Sequence, residues 1–153
     1  MTNPDLKHLV RHLQQILDKR LDAVVLFGSR ARGTSQHESD WDLLIVVHDL
    51  PTSPLQRWQW FHKQTDQLPP DTDILLKTPE EWYAHLSSLT LDVALDGQIL
   101  YDAHGRMHRF LEKTRDTIQK AGLYREFYHG HYLWRTASHE KHWYKRLQEA
   151  LGV

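Results

Sequence analysis

Cysteine is absent from this chain of 153 residues, which excludes disulfide scaffolds, thiolate zinc sites and cysteine nucleophiles together. Long apolar runs are absent as well: none approaches the roughly 18 residues of a membrane helix. Met1-Thr2-Asn3-Pro4-Asp5 carries neither the basic nor the apolar region of a signal peptide. A cytoplasmic protein with no membrane partner is the expectation. Net charge is nearly absent, at a formal −1, and so selects no class of partner by itself. That total hides a division. Residues 1–103 hold 9 Lys and Arg against 15 Asp and Glu, whereas residues 104–153 hold 10 against 5, with six of the twelve histidines. Two solvated surfaces of opposite sign would suffice to explain this; an acidic front and a basic tail with separate jobs would too. The length suits one domain with a short extension and is too small for a polymerase or a two-domain transferase.

Hydrophobic periodicity lays out the elements. Asp5 to Arg20 places Leu6, Leu9, Val10, Leu13, Ile16 and Leu17 on one helical stripe. Asp22–Phe27 and Leu43–Val47 are short continuous apolar runs, read as buried strands. After Pro51 to Pro54, a helix over 55–68 would bury Leu55, Trp58, Phe61 and Leu68, leaving Trp60 outside. Thr72–Lys77 reads as a third strand. Thr78-Pro79-Glu80-Glu81 has the cap, the proline and the acid of a helix start, and the pattern continues toward Asp96-Gly97. Gln98–Tyr101 is a short extended segment. Met107–Ala121 and Leu123–Ala150 are predicted as two further helices. The expected architecture is α/β (α+β): a mixed sheet flanked by helices over 1–103, with a helical extension over 104–153 packed on or beside it.

The chemistry concentrates in Gly28 to Val46. Asp40 and Asp42 stand two apart where a polar loop enters a strand, so both carboxylates can leave one sheet end. Two like charges so close are stabilised by a cation, and oxygen-only ligands point to Mg²⁺, with Mn²⁺ as a substitute. Gly28-Ser29 ends the first strand, where a glycine lets a phosphate approach the backbone and a hydroxyl can add a hydrogen bond. Arg30 and Arg32 follow and can neutralise phosphate. A third acid would complete a two-metal site able to clamp the attacking and leaving oxygens of an in-line displacement, and could help take a proton from an acceptor hydroxyl. Asp73 opens its strand and is preferred; Asp71, after two prolines, looks like turn material.

Gly28-Ser29, ten residues, then Asp40-Trp41-Asp42 resembles the signature of the polymerase-β-like nucleotidyltransferase superfamily. With Ala31, Gly33, Ser39 and Leu43 it is similar to the minimal nucleotidyltransferases, and Gly97-Gln98-Ile99-Leu100-Tyr101 looks like the end of that domain. The resemblance covers roughly residues 5–103. It implies Mg²⁺-dependent transfer of a nucleoside monophosphate from an NTP, AMP from ATP in this group, to a hydroxyl. Gly28 and Ser29 would hold the triphosphate, and Asp40, Asp42 and Asp73 would bind two metal ions. It also implies a partner: these proteins stand beside HEPN-domain RNases as antitoxins, modifying a tyrosine hydroxyl of the toxin. An aminoglycoside-type small-molecule transferase and a non-catalytic antitoxin that acts by binding are the alternatives.

The remaining motifs have simpler explanations. His8 and His12, and His104 and His108, have chelating i, i+4 spacing, and His129 and His131 are a near pair. No third ligand accompanies any of them, so surface or interface histidines are expected. Tyr124, Phe127, Tyr128, Tyr132, Trp134, Trp143 and Tyr144 make the last predicted helix aromatic on several faces. That suits either a helix wedged between neighbours or a partner or homo-oligomer surface. Arg125, Arg135, Lys141, Lys145 and Arg146 lie among them, but without a motif for nucleic acid, which is not expected as a direct substrate.

Overall fold

The computed structural model describes residues 4–34, 40–137 and 143–153. Its centre is a mixed sheet in the order β3-β2-β1-β4, formed by β1 (Leu21–Phe27), β2 (Trp41–Val47), β3 (Thr72–Lys77) and β4 (Gln98–Asp102). β1 is antiparallel to both β2 and β4, and β2 is parallel to β3. The continuous apolar runs of β1 and β2 follow from their central places, because a strand covered on both faces needs apolar side chains on both. Alternation sends Ala23, Val25, Leu44 and Val46 to one face and Val24, Leu26, Leu43, Ile45 and Val47 to the other. The β1–β2 register shifts at Asp22. Its buried carboxylate accepts a hydrogen bond from the Tyr83 hydroxyl at 2.8 Å. Burial, and then that bond, push the Tyr83 phenol upward, so it stays a protonated donor.

Helices cover both faces. α1 (Pro4–Leu17) and α3 (Pro54–Gln64) close the face that carries Val24 and Ile45, using Leu6, Leu9, Leu13 and Phe61. α4 (Pro79–Tyr83), α5 (Ser88–Asp96) and α6 (Arg106–Lys120) close the other through Trp82, Leu91, Val93 and Leu111. β1 runs directly into a short helix, α2 (Gly28–Arg32), on the way to β2. No described helix is long and apolar enough to cross a membrane.

Three expectations are corrected. In α3, Leu55 and Trp58 are 64% and 60% exposed, while Phe61 is buried and Trp60 packs against the core. The inward stripe is Arg57, Trp60, Phe61 and Gln64, the i, i+3, i+4, i+7 pattern with an arginine in it. Arg57 turns inward because Glu81 waits there: its two terminal nitrogens donate to the two carboxylate oxygens at 2.7 and 2.5 Å. The expected helix from Pro79 toward Asp96 is two, since Ser87 starts α5 with a capping box of its own with Thr90.

The third correction is the largest. The helix expected over 123–150 is a β-hairpin followed by a helix: β5 (Leu123–Tyr128), β6 (His131–Thr136) and α7 (Trp143–Leu151). His129 and Gly130 both have positive φ, 48° and 83°, the turn geometry that matches strand twist in a two-residue connection. Aromatic residues on several faces of one helix cannot all be buried, whereas alternation along a hairpin sorts them. Leu123, Arg125, Trp134 and Thr136 share the face turned to the protein, which the exposed Phe127 continues toward the turn, and Tyr124 and Tyr128 lie on the outer face. Leu123 joins Leu147 and Leu151 of α7 in the core under α6, so the segment after residue 103 shares a core with what precedes it. Ser39 and Lys141 lie outside the described residues, as do the side chains of Trp143 and Arg146.

Candidate active site

The chain leaves β1 at Phe27 and turns at Gly28, with φ at +73°. Phe27 is the register partner of Asp42 on β2, which brings the Gly28 backbone against the Asp42 carboxylate. A Cβ at Gly28 would stand 2.1 Å from Asp42 Oδ2, so glycine is required twice, for its backbone angle and for space. One strand further, Asp42 and Asp73 are register partners in the parallel β2–β3 pair. Parallel partners project to the same face, so both carboxylates leave the same end of adjacent strands. Asp40 lies exposed immediately before β2. The Asp42 carboxyl is raised above its ordinary value by burial first, then by Asp73 and Asp40, while Arg32 pulls it down. Two acids and one arginine thus act on Asp42 here. Asp71 has a turn role, with φ at 56° and its carbonyl accepting from the Trp41 N–H at 2.7 Å.

α2 is pinned beside these acids. The left-handed Gly33 ends it, its N–H donating to the Ser29 carbonyl. Gln98 of β4 donates to the Ala31 carbonyl at 3.0 Å. Ser29 sits in the only turn of α2, half-exposed. The two arginines diverge. Arg30 lies over the Trp41 ring at 4.4 Å, and Trp41 packs with the opposite sheet face from Asp42. Arg32 turns toward the acids: its Nη1 is 3.6 Å from Asp96, and its guanidinium lies 5.0 Å from the centre of the Tyr132 ring.

Further charged side chains lie around Arg32. Arg125 on β5 donates to both oxygens of Asp96 at 2.5 and 3.1 Å and to Asp92 at 3.2 Å. Trp134 Nε1 also donates to Asp92, at 3.0 Å. Asp96, Arg125 and Tyr132 were not assigned to the site from sequence. They meet only because the hairpin docks on α5, and no spacing along the chain announces that. The two-residue turn between aromatic runs was the available signal.

The donor set fits a hard divalent cation. All the acids are carboxylates, and Asp42 sits among like charges that a cation would relieve. Among the described residues, no three His, Cys, Asp or Glu side chains stand grouped as a ready-made metal cage. Mg²⁺ needs none, since it is held by one or two carboxylates with substrate phosphates and water. The histidine pairs show no such arrangement; His108 instead faces Glu112 at 3.2 Å on the surface of α6.

Known proteins resemble this chain in sequence and in fold. MJ0141 of Methanocaldococcus jannaschii, named as a protein adenylyltransferase, is 47% identical over 47 residues, which are 31% of this chain and 48% of that protein. The match therefore spans about half the length of that relative. MJ1305 of the same organism, named likewise, is 24% identical over 128 residues, covering 78% of this chain and 85% of its own. A crystal structure described as a toxin–antitoxin with AMP-PNP superposes with a TM-score of 0.54 at 23% identity, covering 77% of this chain and 89% of that one. The sequence pattern of the family described as polymerase beta, nucleotidyltransferase matches residues 11–103. With its paired aspartates at the strand ends and its Gly-Ser turn, the chain belongs to that nucleotidyltransferase family.

Proposed function

We propose that this protein is a Mg²⁺-dependent adenylyltransferase that moves AMP from ATP to a hydroxyl of a protein partner, a HEPN-type toxin that it silences. The observation that carries the reading is the register that lines up Asp42 with Asp73 beside Gly28. It sets acidic ligands and a close backbone approach at one sheet end. The names of the two relatives support protein as the acceptor, and the toxin–antitoxin with AMP-PNP, a neighbour in fold, agrees with the partner class.

In this reading Gly28 and Ser29 receive the triphosphate, and Arg32 offsets its charge, with Arg30 on the same helix. Asp40, Asp42 and Asp73 would hold the ions, which when bound neutralise the phosphates and sharpen the electrophilic α-phosphorus. The acceptor oxygen attacks in line, a new P–O bond forms, the α–β bridging P–O bond breaks, and pyrophosphate leaves. Asp73 lies on the strand farthest from α2 and is placed to help take the acceptor proton. Residues 1–103 would supply this chemistry, and residues 104–153 would contribute to choosing the acceptor.

The test combines the protein, Mg²⁺, α-labelled ATP and the candidate toxin. Label should appear on the toxin and vanish with Asp40→Ala and Asp42→Ala. If the double variant still neutralises the toxin in cells, binding alone accounts for the antitoxin effect and the catalytic reading falls.

A further inference from the structure

We propose that the β5–β6 hairpin is a positioning element for the nucleotide site, in which Arg125 occupies Asp96 so that Arg32 stays free for phosphate. The inference rests on the reading of Arg32 as a triphosphate ligand and adds what makes it available. The two arginines compete for one carboxylate. Arg125 has the better geometry, with contacts to both oxygens of Asp96 at 2.5 and 3.1 Å, whereas Arg32 reaches only Oδ2, at 3.6 Å. Paired, two-point contacts are the strong form of a guanidinium–carboxylate interaction, and 3.6 Å is beyond hydrogen-bond length. Arg32 is thus near Asp96 without being captured by it.

Two further observations agree. Arg32 Nε is buried and meets no hydrogen-bond acceptor among the described residues. An unsatisfied buried donor is costly, and here it belongs to the arginine whose charge acts on Asp42. The Tyr132 ring lies beside both guanidinium groups, 5.0 Å from Arg32 and 4.3 Å from Arg125, so it supports the Arg32 side chain by a contact that uses none of its N–H donors. The hairpin therefore does two things from outside the family-matched residues 11–103. Arg125 neutralises the acid that would otherwise seize Arg32, and Tyr132 keeps Arg32 beside the acids of β2.

The experiment measures binding of Mg²⁺·ATP by calorimetry to the full chain and to Arg32→Met, Arg125→Met and the double variant Arg125→Met/Asp96→Asn. With Arg125 gone, Asp96 should take Arg32 into a direct pair, and ATP affinity should fall about tenfold, the scale of one charged hydrogen bond. Removing the Asp96 charge in that background should release Arg32 and restore affinity to within about threefold of the parent. Mere loss of hairpin docking predicts the reverse, because Asp96→Asn takes away one more anchor. An unchanged affinity in Arg125→Met, or a double variant no better than the single, overturns the proposal. If Arg32→Met itself binds ATP as well as the parent, the underlying reading of Arg32 has failed instead.

Discussion

Asp42 is the residue at which stability and chemistry oppose each other. Its carboxylate is partly buried, faces Asp73 and Asp40, and touches the Gly28 backbone. Its raised pKa means that the charged form costs folding free energy at neutral pH, a cost relieved as pH falls through the raised value. Asp42→Asn removes the charge and keeps the shape. The metal-free variant should melt higher than the parent, by about 2–4 °C for each kcal/mol released in a chain of this size. Its transfer rate should fall about 10²–10³-fold or more, the scale of losing one preorganised electrostatic partner. Differential scanning fluorimetry of the metal-free proteins checks the melting point and the labelling assay checks the rate; a lower melting point in the metal-free variant would contradict the argument. Gly28→Ala should lose stability as well as rate. The left-handed backbone costs about 1–2 kcal/mol for any other residue, and the new methyl would push Asp42 aside. A displacement near 1 Å is expected to cost about 10²-fold in rate, read in the same labelling assay against circular dichroism of the fold.

At the scale of elements, the α3–α4 contact shows what the sequence could and could not convey. The capping box of Thr78 and Glu81 was legible from four residues and is present. That Glu81 also reaches across to Arg57 was not legible, because the partner lies 24 positions away on another helix. The Arg57 hydrogen bonds hold the Glu81 carboxyl down to about 2 from an ordinary 4.5. A depressed carboxyl stabilises the fold fully above the unfolded value and loses that contribution as pH drops toward the folded one. The difference in urea midpoint between the parent and Glu81→Gln should therefore be largest near neutrality and shrink between about pH 4.5 and pH 2. A gap that stays constant over that range would show the pair to be inert. The site strands were readable for a local reason: Gly28-Ser29 and Asp40-Trp41-Asp42 are each contiguous, and the strand they border is a run of apolar residues. The hairpin was misread because Leu, Arg and Glu suit helices as well as strands, while the deciding cue, a positive-φ pair at His129-Gly130, is only two residues long.

Across the whole molecule, the two faces of the sheet divide the labour. One is closed by α1 and α3 and meets the candidate site only at its margin, where Arg30 lies over Trp41 and Asp73 lines a cavity with Phe61. The other carries Asp42, Asp73 and the layer of α4, α5 and α6, to which the hairpin and α7 are joined through Leu123, Leu147 and Leu151. The hairpin and α7 are thus joined to the sheet face that carries Asp42 and Asp73, while most of the acids counted in the first part lie outside the candidate site. Truncation after Asp102 would strip Met107, Leu111 and Leu123 from the core. The shortened chain should lose cooperative unfolding, measured as a broadened or absent thermal transition; a sharp melt like the parent's would show that residues 104–153 are dispensable to the fold.

The position of β3 at the margin of the sheet has a consequence for timing. β1 and β2 are bonded on both sides, whereas β3 has β2 alone as a strand partner among the described residues. Amide exchange should therefore be slowest along Leu21–Phe27 and measurably faster along Thr72–Lys77. Gly28 and Asp42 would then adjoin the most protected strands, and Asp73 would ride on a strand that exchanges sooner. A nucleotide would meet a fixed cradle, while an arriving hydroxyl would meet a carboxylate with some give, able to follow acceptors that do not all dock alike.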